Sequence, residues 1–397
     1  MDSWNLVVAR HAARLAFWHP AAPSGVTFAE IDRMAGDVDV SGSFVVAVGS
    51  CPGFFSSLVA AWRAGKPALL VENATSTVRP IEGGIPVGTV LIKQTCGASG
   101  LERSLFFGVS EVLAEGRRNI AALGLHPDRR GLAAVSLAHS YGFGCLALPL
   151  LLGGIPVDIL AGPMPMFMHG SLARGGEVFL PGVPAMWKSW WQTHIVADPA
   201  IGLALCAGSP LSLELEVGVH GDCGLKIHNF YGTSETGAIA YDDSDELRSS
   251  EHFVGRALGG MVVGADGSGR ITVNSDSRAL GTDVAAWEGE FSSPVYQTLD
   301  RGAVVEDGVF VHDCIGQAIN VAGRKMSPVR LRGILEQLDG VLSAVVERGR
   351  SRDYERFEEI RVLLTVKPGY DKRILREALR QRVESWEMPR HWEFETV

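Results

Sequence analysis

The stretch FYGTSETG, Phe230 to Gly237, follows a run that predicts a buried strand, Lys226 to Phe230. Its glycines permit a tight turn where that strand ends. Tyr231 can stack on a purine, and the neighbouring hydroxyls can hold an α-phosphate. Glu235 supplies a single carboxylate, and Mg2+ is usually bound by one or two carboxylates together with phosphate oxygens. The stretch indicates a nucleotide site, and the alternative is a strand-to-loop turn with a solvated glutamate.

A second polar turn, TCGASGLER from Thr95 to Arg103, follows an earlier predicted strand, Thr89 to Ile92. Its glycines allow backbone N–H groups to face an anion. Thr95 and Ser99 add hydroxyls, and Arg103 adds a fixed positive charge, which suits the β- and γ-phosphates of ATP. The segment is not a Walker loop, because no Gly-Lys-Ser/Thr follows. Taken alone, it is better explained as a surface turn.

Between Phe44 and Leu160, predicted strands alternate with predicted helices, as in parallel α/β units. The predicted strands are Phe44–Val48, Ala68–Val71, Leu132–Leu137 and Val157–Leu160, and the predicted helices are Phe54–Gly65, Val109–Leu123 and Phe143–Leu152. From Gly255 to Val311, short runs separated by Gly, Asp and Ser predict antiparallel strands. We therefore expect an α/β fold, with a large N-terminal body of α/β subdomains and a β-rich segment.

The last part of the chain, from Gly316 to Val397, is richer in charge and predicts a small α+β lobe. Its predicted elements are a helix at Val329–Leu338, strands at Val341–Glu347 and Ile360–Lys367, and a long amphipathic helix at Asp371–Trp386. The expected division is a large domain over residues 1–313 and a small domain over residues 316–397, with a hinge near 313–317.

Composition excludes several classes of protein. The 36 basic residues are outnumbered by 45 acidic ones, so a nucleic-acid partner is not expected. Six scattered cysteines without a C-x-x-C pair fit neither a zinc site nor a disulfide framework. The N-terminus lacks the apolar core of a signal peptide, and the most apolar run, Phe143 to Val157, is too short and interrupted to span a bilayer. We expect a cytoplasmic protein without a membrane span.

The two turns, in this order, resemble the adenylate-forming superfamily of acyl- and aryl-CoA synthetases, peptide-synthetase adenylation domains and luciferases. The family's phosphate loop, T-S-G-T-T-G-x-P-K-G, is matched at four positions and has arginine in place of lysine at a fifth: Thr95, Gly97, Ser99, Gly100 and Arg103. Its Y-G-x-T-E motif is matched at three positions and has serine in place of threonine at a fourth: Tyr231, Gly232, Glu235 and Ser234.

Three further segments resemble family motifs in the expected order. Leu137–Gly142 (LAHSYG) resembles P-x-x-H-x-x-G, which helps to shape the acid pocket, although His139 alone would be a structural histidine at a helix start. Cys206–Leu211 (CAGSPL) resembles the G-G-A-x-L turn, which lies against adenine and the acid. Tyr296–Asp300 (YQTLD) resembles Y-x-T-G-D, whose aspartate holds the ribose hydroxyls, whereas Asp300 alone would be a turn residue.

The resemblance implies an AMP-forming acid–thiol ligase. Such an enzyme activates a carboxylic acid with ATP and Mg2+ as an acyl-adenylate and transfers it to the thiol of CoA or of a carrier protein's phosphopantetheine. The implied catalytic residues are Glu235, which also binds the metal, Ser234, His139 and Arg103. The implied nucleotide-binding residues are Thr95, Gly97, Ser99, Gly100, Gly208, Ser209, Asn229, Tyr231, Gly232, Thr233 and Asp300. In the family, the small domain rotates between the two steps, and the segment around Gly323 then lines the thiol tunnel.

The sequence says less about which acid is the substrate than about the type of reaction. A pocket drawn from Tyr141, Phe143, Trp187 and the 207–210 turn would favour an aryl or medium-sized acid, but these residues fit an ordinary core equally well.

The chain departs from the family pattern in its last part. Cys314 replaces an arginine expected to contact the nucleotide, and Gly316 and Gln317 replace the acidic hinge residues. The family's lysine near the end of the small domain is not reached before Val397. Two alternatives follow: a degenerate nucleotide- or acyl-binding protein, or an enzyme that keeps only the thioester-forming half-reaction. The retained Glu235 favours an active enzyme.

Overall fold

The computed structural model describes residues 1–49, 51–74, 76, 78–96, 102–284, 289–306, 308–314, 318–350, 358–367 and 371–396. The helices are α1 (Asp2–His11), α2 (Phe28–Met34), α3 (Phe54–Arg63), α4 (Val109–Ala122), α5 (Ser140–Gly142), α6 (Leu148–Gly153), α7 (Pro165–Leu172), α8 (Pro184–Gln192), α9 (Leu213–Cys223), α10 (Pro328–Glu336) and α11 (Lys372–Arg380). A π-helical turn, Phe143–Ala147, joins α5 to α6.

The strands of the body alternate with these helices along much of the chain. They are β1 (Leu15–His19), β2 (Ala22–Thr27), β3 (Val45–Val48), β4 (Ala68–Val71), β5 (Leu91–Cys96), β6 (Glu102–Phe107), β7 (Arg130–Ala133), β8 (Val157–Ile159), β9 (Val178–Gly182), β10 (Ile201–Cys206), β11 (Ile227–Thr233), β12 (Gly237–Tyr241), β13 (Phe253–Ala257), β14 (Val262–Ala265), β15 (Arg270–Asn274), β16 (Gly281–Thr282), β17 (Val295–Val305) and β18 (Gly308–Cys314). The last strands are β19 (Ile319–Val321), β20 (Arg324–Met326), β21 (Val341–Arg350), β22 (Glu358–Val366) and β23 (His391–Thr396).

The largest sheet has 13 strands in the order β14-β15-β17-β18-β13-β12-β11-β10-β9-β7-β8-β1-β2. Its six central strands, which lie side by side in the order β11-β10-β9-β7-β8-β1, pair in parallel. From β11 onward the pairing becomes antiparallel, because the chain reverses after Thr233 and returns as β12. The predicted α/β units and β-rich segment are therefore confirmed. The reversal also places the FYGTSETG turn at the carboxyl end of a parallel strand, where ligands of α/β proteins commonly bind.

A second sheet, in the order β16-β6-β5-β4-β3, positions the other polar turn. Here β3, β4 and β5 are parallel, and β5 pairs antiparallel with β6. Thr95 lies opposite Arg103 in that pairing. Residues 97–101 lie outside the described part of the chain, and the predicted phosphate-loop residues Gly97, Ser99 and Gly100 are among them.

The C-terminal residues form a third, three-stranded sheet, β21-β22-β23, against which α10 packs. A separate apolar cluster, which includes Leu331, Ile360 and Leu375, fills this lobe. The long helix predicted to end at Trp386 ends at Arg380 instead. The physical reason lies in the next turn, where the Glu384 N–H donates to Glu387 Oε2 at 2.9 Å and begins a new 3-10 turn.

Across the described parts of the chain, every helix is too short or too polar to cross a membrane.

Candidate functional site

A cavity of about 1030 Å3 lies between the body and the C-terminal lobe. On the body side it is lined by the start of α5 and by the carboxyl ends of β10 and β11, at His139, Ser140, Tyr141, Ala207, Gly208 and Phe230. On the lobe side it is lined by residues 323–327 and 380–387. Because one wall belongs to each part, the volume of this cavity depends on how the lobe sits against the body.

A narrower cleft of about 20 Å3 adjoins this cavity. It is lined by Thr95, Thr233, Ser234, Glu235, Tyr296, Thr298, Leu299, Asp300 and Lys325. Thr95, Thr233, Ser234 and Lys325 also line the larger cavity, so the two spaces meet at the turn between β11 and β12. The cleft has room for little more than a water or an ion, so a nucleotide would lie in the larger cavity with its phosphates against the cleft. An acid in the same cavity would then meet the phosphates at this turn.

Arg103 and Glu235 form a buried ion pair at the cleft. Arg103 is 1% exposed on β6. Its guanidinium donates to Glu235 Oε1 at 2.6 Å and to Glu290 Oε2 at 3.1 Å. Burial opposes ionisation of Glu235, but the charges of Arg103 and Lys325 outweigh it and hold the pKa of the Glu235 carboxyl below its usual value. Glu235 is therefore a carboxylate at neutral pH.

Tyr231 and Asp300 are joined by a second short hydrogen bond. The Tyr231 hydroxyl donates to Asp300 Oδ2 at 2.7 Å. Burial, reinforced by the Asp300 charge, raises the pKa of the Tyr231 phenol well above its usual value, so the phenol remains a donor. The bond fixes the tyrosine ring and the aspartate together, with Asp300 on the wall of the cleft.

The start of α5 brings His139 and Ser140 to the same turn. The Ser140 hydroxyl donates to Ser234 Oγ at 3.1 Å. His139 occupies the N-cap position of α5 and lines the cavity. Burial lowers the pKa of the His139 imidazole; the positive charges of Arg324, Lys93 and Lys325 act in the same direction, and Glu72 opposes them. A neutral imidazole at pH 7 follows.

The lobe contacts the body at the predicted adenine-side turn. Asn320 Nδ2 donates to the Gly208 carbonyl at 2.8 Å, and Asn320 Oδ1 accepts from Gly323 N–H at 2.9 Å. Ser209 Oγ lies 3.4 Å from the same Asn320 oxygen. A side chain on Gly208 would reach within 3.2 Å of the Gly323 Cα, so the two backbones pass close together. An ion pair of 3.2 Å between Arg324 and Glu72 adds to this contact.

The other residues predicted to bind the nucleotide or the acid lie partly on the walls of the cavity and partly elsewhere. Thr95, Gly232 and Thr233 line the cavity. Asn229 lies inside β11, where its side-chain amide donates to the Phe253 carbonyl at 3.1 Å. Trp187, suggested for the acid pocket, is buried in the core, and its indole N–H donates to the Leu205 carbonyl at 3.0 Å.

Several charged or polar lining residues were not singled out in the sequence analysis, among them Lys93, Glu115, Asn119 and Lys325. Glu115 and Asn119 are four residues apart on α4, and both are buried on its inner face. The sequence does contain a signal for two of them, because Glu115 and Asn119 recur at helical spacing on the same predicted face as the apolar Val112. This spacing indicates that the two polar side chains share one side of the helix.

The residues at the cleft fit the magnesium of an ATP–magnesium complex rather than a protein-bound metal centre. Among the described residues, no three His, Cys, Asp or Glu side chains cluster as a metal site would require. Glu235 offers one carboxylate beside the hydroxyls of Thr233 and Ser234. Mg2+ keeps several waters and takes its remaining ligands from one or two carboxylates and from substrate phosphates, so this donor set is sufficient.

Comparison with known proteins supports the expectation drawn from the motifs. The family model of the AMP-binding enzymes matches residues 109–269. A 3,4-dihydroxybenzoate–[aryl-carrier protein] ligase of Bacillus anthracis is 23% identical over 306 residues, which are 75% of this chain and 68% of that protein.

Two solved structures of one relative, the o-succinylbenzoate CoA synthetase of Bacillus subtilis, differ in how closely they match. A double mutant bound with its product analogue has a TM-score of 0.83 at 17% identity, over 99% of this chain and 94% of that one. The complex with ATP and magnesium ion has a TM-score of 0.69 at 16% identity, over 99% and 95% of the two chains. These comparisons support the resemblance to the adenylate-forming superfamily and confirm the predicted fold class.

Proposed function

We propose that this chain, which has the fold and motifs of the adenylate-forming superfamily, activates a carboxylic acid with MgATP and transfers the acyl group to a thiol. The observation that carries the proposal is the meeting of the two spaces at Ser234. The cleft has the residue types that hold a magnesium ion and phosphate oxygens, and the adjoining cavity has room for the rest of a nucleotide and for an acid.

In the first step, an oxygen of the acid's carboxylate attacks the α-phosphorus of ATP, an acyl–phosphate bond forms, and pyrophosphate leaves. The carboxylate is already ionised at neutral pH, so no general base is required. The reaction needs alignment and neutralisation of phosphate charge. Arg103 and Lys325 would supply positive charge, Ser234 and Thr95 would donate to phosphate oxygens, and Glu235 would bind the magnesium of MgATP.

In the second step, the thiol attacks the acyl carbon of the adenylate and AMP leaves. In this structure Gly323 of the lobe lies close to Gly208 of the body. This supports a lobe position suited to thiol transfer, because the segment around Gly323 is the one that would line the path of the thiol. The higher TM-score with the product-analogue complex than with the ATP complex supports it as well. Rotation of residues 316–397 about a hinge at 313–317 remains part of the proposal, and the separate apolar core of the lobe favours it.

The acid and the acceptor are also parts of the proposal. Tyr141 and Phe230 line the cavity with ring centroids 6.0 Å apart, which favours an aryl acid. The relative from Bacillus anthracis is named for an aryl-carrier protein, so a carrier-protein phosphopantetheine is the first acceptor to test and CoA the second. A cytoplasmic location would supply ATP and keep the thiols reduced.

The test is formation of acid hydroxamates with ATP, Mg2+ and hydroxylamine across aryl and aliphatic acids, followed by thioester formation with CoA and with carrier protein. We expect an acid-dependent signal that requires both ATP and Mg2+. Binding of MgATP without any hydroxamate would favour the half-reaction or degenerate alternatives. Absence of both binding and hydroxamate in a folded sample would contradict the proposed function.

A further inference from the structure

The far wall of the cavity contains a buried ion pair that the reaction at the Ser234 turn does not use. Lys93 Nζ, on β5, lies 3.3 Å from Glu115 Oε2, on α4, and each side chain is 3% exposed. The ammonium also lies 4.6 Å from the centroid of the Phe107 ring and 5.5 Å from that of Phe143. Burying two charges among aromatic rings costs solvation energy, so such a pair is weak evidence for stability and calls for another explanation.

Space for the Glu115 carboxylate is left by two glycines that line the cavity. A side-chain carbon at Gly144 would lie 2.6 Å from Glu115 Oε1, and one at Gly237 would lie 3.0 Å from the Glu115 carboxyl carbon. Gly237 is three residues beyond Ser234, at the other end of the same turn. The carboxylate of Glu115 and the predicted reaction centre therefore face opposite ends of one short turn.

Asn119 completes this wall and has one unsatisfied atom. Its Nδ2 donates to the Gly144 carbonyl, in the π-helical turn, at 2.9 Å, and this fixes the orientation of the amide. Its Oδ1 is buried and has no hydrogen-bond partner within the described part of the chain, although Asn119 is 1% exposed and lines the cavity. Leaving a buried acceptor unpaired is unfavourable, so a ligand that donates to Oδ1 would remove that penalty.

We propose that Lys93, Glu115 and Asn119 recognise a neutral hydroxyl group on the acid, remote from its carboxylate. A hydroxyl donates one hydrogen bond and accepts others, so it can donate to Asn119 Oδ1 and accept from the Lys93 ammonium, which has three N–H donors. The inference rests on the proposed function for the identity of the ligand as an acid.

The charge balance of the wall excludes the two charged alternatives. Lys93 and Glu115 neutralise each other, so a second carboxylate on the acid would be buried next to Glu115. An ammonium on the acid would be buried next to Lys93. An uncompensated charge in a buried site is strongly disfavoured, whereas a hydroxyl adds no charge.

The experiment compares benzoate with its 2-, 3- and 4-hydroxy and 3,4-dihydroxy derivatives, and with terephthalate and 4-(aminomethyl)benzoate as charged analogues. Binding is measured by calorimetry without ATP, and kcat/KM by hydroxamate formation. Sites that hydrogen-bond a substrate hydroxyl discriminate strongly against the analogue that lacks it, so we expect at least one hydroxylated acid to exceed benzoate by about 100-fold or more. The inference would be overturned if benzoate had the same affinity and kcat/KM as every hydroxylated acid, or if either charged analogue were preferred.

Two variants test the named residues. Asn119→Leu removes the acceptor at similar volume, and Lys93→Met combined with Glu115→Gln removes both charges together. In each, the preference for the hydroxylated acid should fall by about 10-fold or more, since a lost hydrogen bond to a buried group is worth about that factor. Arg117→Leu, on the exposed side of α4, is the matched control and should retain the wild-type preference. Equal losses for hydroxylated and plain acids in both variants would indicate a purely structural role and overturn the proposal.

The two proposals fail separately in this design. Selective binding of a hydroxylated acid that is lost in Asn119→Leu, without any hydroxamate, would contradict the proposed function and support the inference. Hydroxamate formation without any preference for a hydroxylated acid would support the proposed function and contradict the inference.

Discussion

The cleft beside the β11–β12 turn and the far wall of the cavity both bury charged groups, but they balance them differently. Beside the cleft, Arg103 contacts two carboxylates, Glu235 and Glu290, and Glu235 lines the cleft together with Ser234 and Lys325. In the far wall, one ammonium faces one carboxylate and the pair is neutral. Several charges of both signs, Lys325 among them, suit a metal–phosphate complex that every substrate shares. A neutral pair suits the part of the acid that varies. The cleft should therefore determine how fast any acid reacts, and the far wall should determine which acid reacts.

Glu235→Ala should have the largest effect. We expect kcat/KM for hydroxamate formation to fall by roughly 1000-fold for every acid tested, because removal of a preorganised electrostatic contact to reacting groups typically has an effect of this size. The preference between acids should remain as in the wild type.

The control for this variant is Glu290→Gln, since Glu290 contacts the same guanidinium but is 36% exposed. We expect it to retain activity within about 10-fold of the wild type. A loss that depends strongly on the acid in Glu235→Ala would remove the proposed distinction between cleft and far wall.

Lys93→Met should act chiefly on stability. The substitution leaves the Glu115 carboxylate buried without its partner, and breaking a buried pair in this way costs about 3 kcal/mol of unfolding free energy. Urea denaturation of the single and double variants measures this.

Adding Glu115→Gln should restore the unfolding free energy to within about 1 kcal/mol of the wild type, because the buried charge is then removed as well. If the single variant is as stable as the wild type, the pair is more hydrated than its 3% exposure implies, and the argument from its burial fails.

Asn320→Ala should separate the two half-reactions. Asn320 donates to the Gly208 carbonyl of the body at 2.8 Å, and its side-chain oxygen accepts from Gly323 N–H within the lobe at 2.9 Å. The first bond would hold the lobe in the arrangement proposed for thiol transfer, and the second orients the side chain that makes it. We expect transfer from a preformed adenylate to the thiol to slow by about 10-fold, which corresponds to an activation free energy higher by about 1.4 kcal/mol. The rate of adenylation, measured by the release of pyrophosphate, should change by less than about threefold. Equal slowing of both steps would mean that this contact serves both arrangements.

The cleft was predictable from the sequence to a much greater extent than the far wall. Tyr231 lies near the end of β11, and Ser234 and Glu235 lie in the turn that follows it, so their proximity follows from local geometry alone. Asp300 is 69 residues further along the chain from Tyr231, and only its place in a recognised series of motifs indicated that the two would meet.

The far wall could not be predicted because its contacts depend on tertiary packing. Lys93 lies on β5 and Glu115 on α4, and no local pattern determines that the two side chains meet between aromatic rings. The burial of Lys93 also contradicts the usual behaviour of lysine, so composition gives no indication of it. The helical spacing of Glu115 and Asn119 was visible, but it is equally consistent with a polar, solvated face.

The smallest predicted effect concerns His139, which stands between the two regions and is influenced by charges from both. Burial and the charges of Arg324, Lys93 and Lys325 lower the pKa of its imidazole below 6.5, against the opposing effect of Glu72. Below pH 6.5 the unfolded chain therefore takes up a proton at this position that the folded chain does not, so the unfolding free energy should decrease as the pH falls. Above pH 6.5 both states are neutral and the contribution disappears. His139→Gln should lose this part of the decrease between pH 6.5 and 5, whereas His220→Gln, at an exposed position on α9, should keep it. Urea denaturation at each pH measures the difference, and identical profiles for the two variants would mean that His139 is protonated as readily in the folded chain as in the unfolded one.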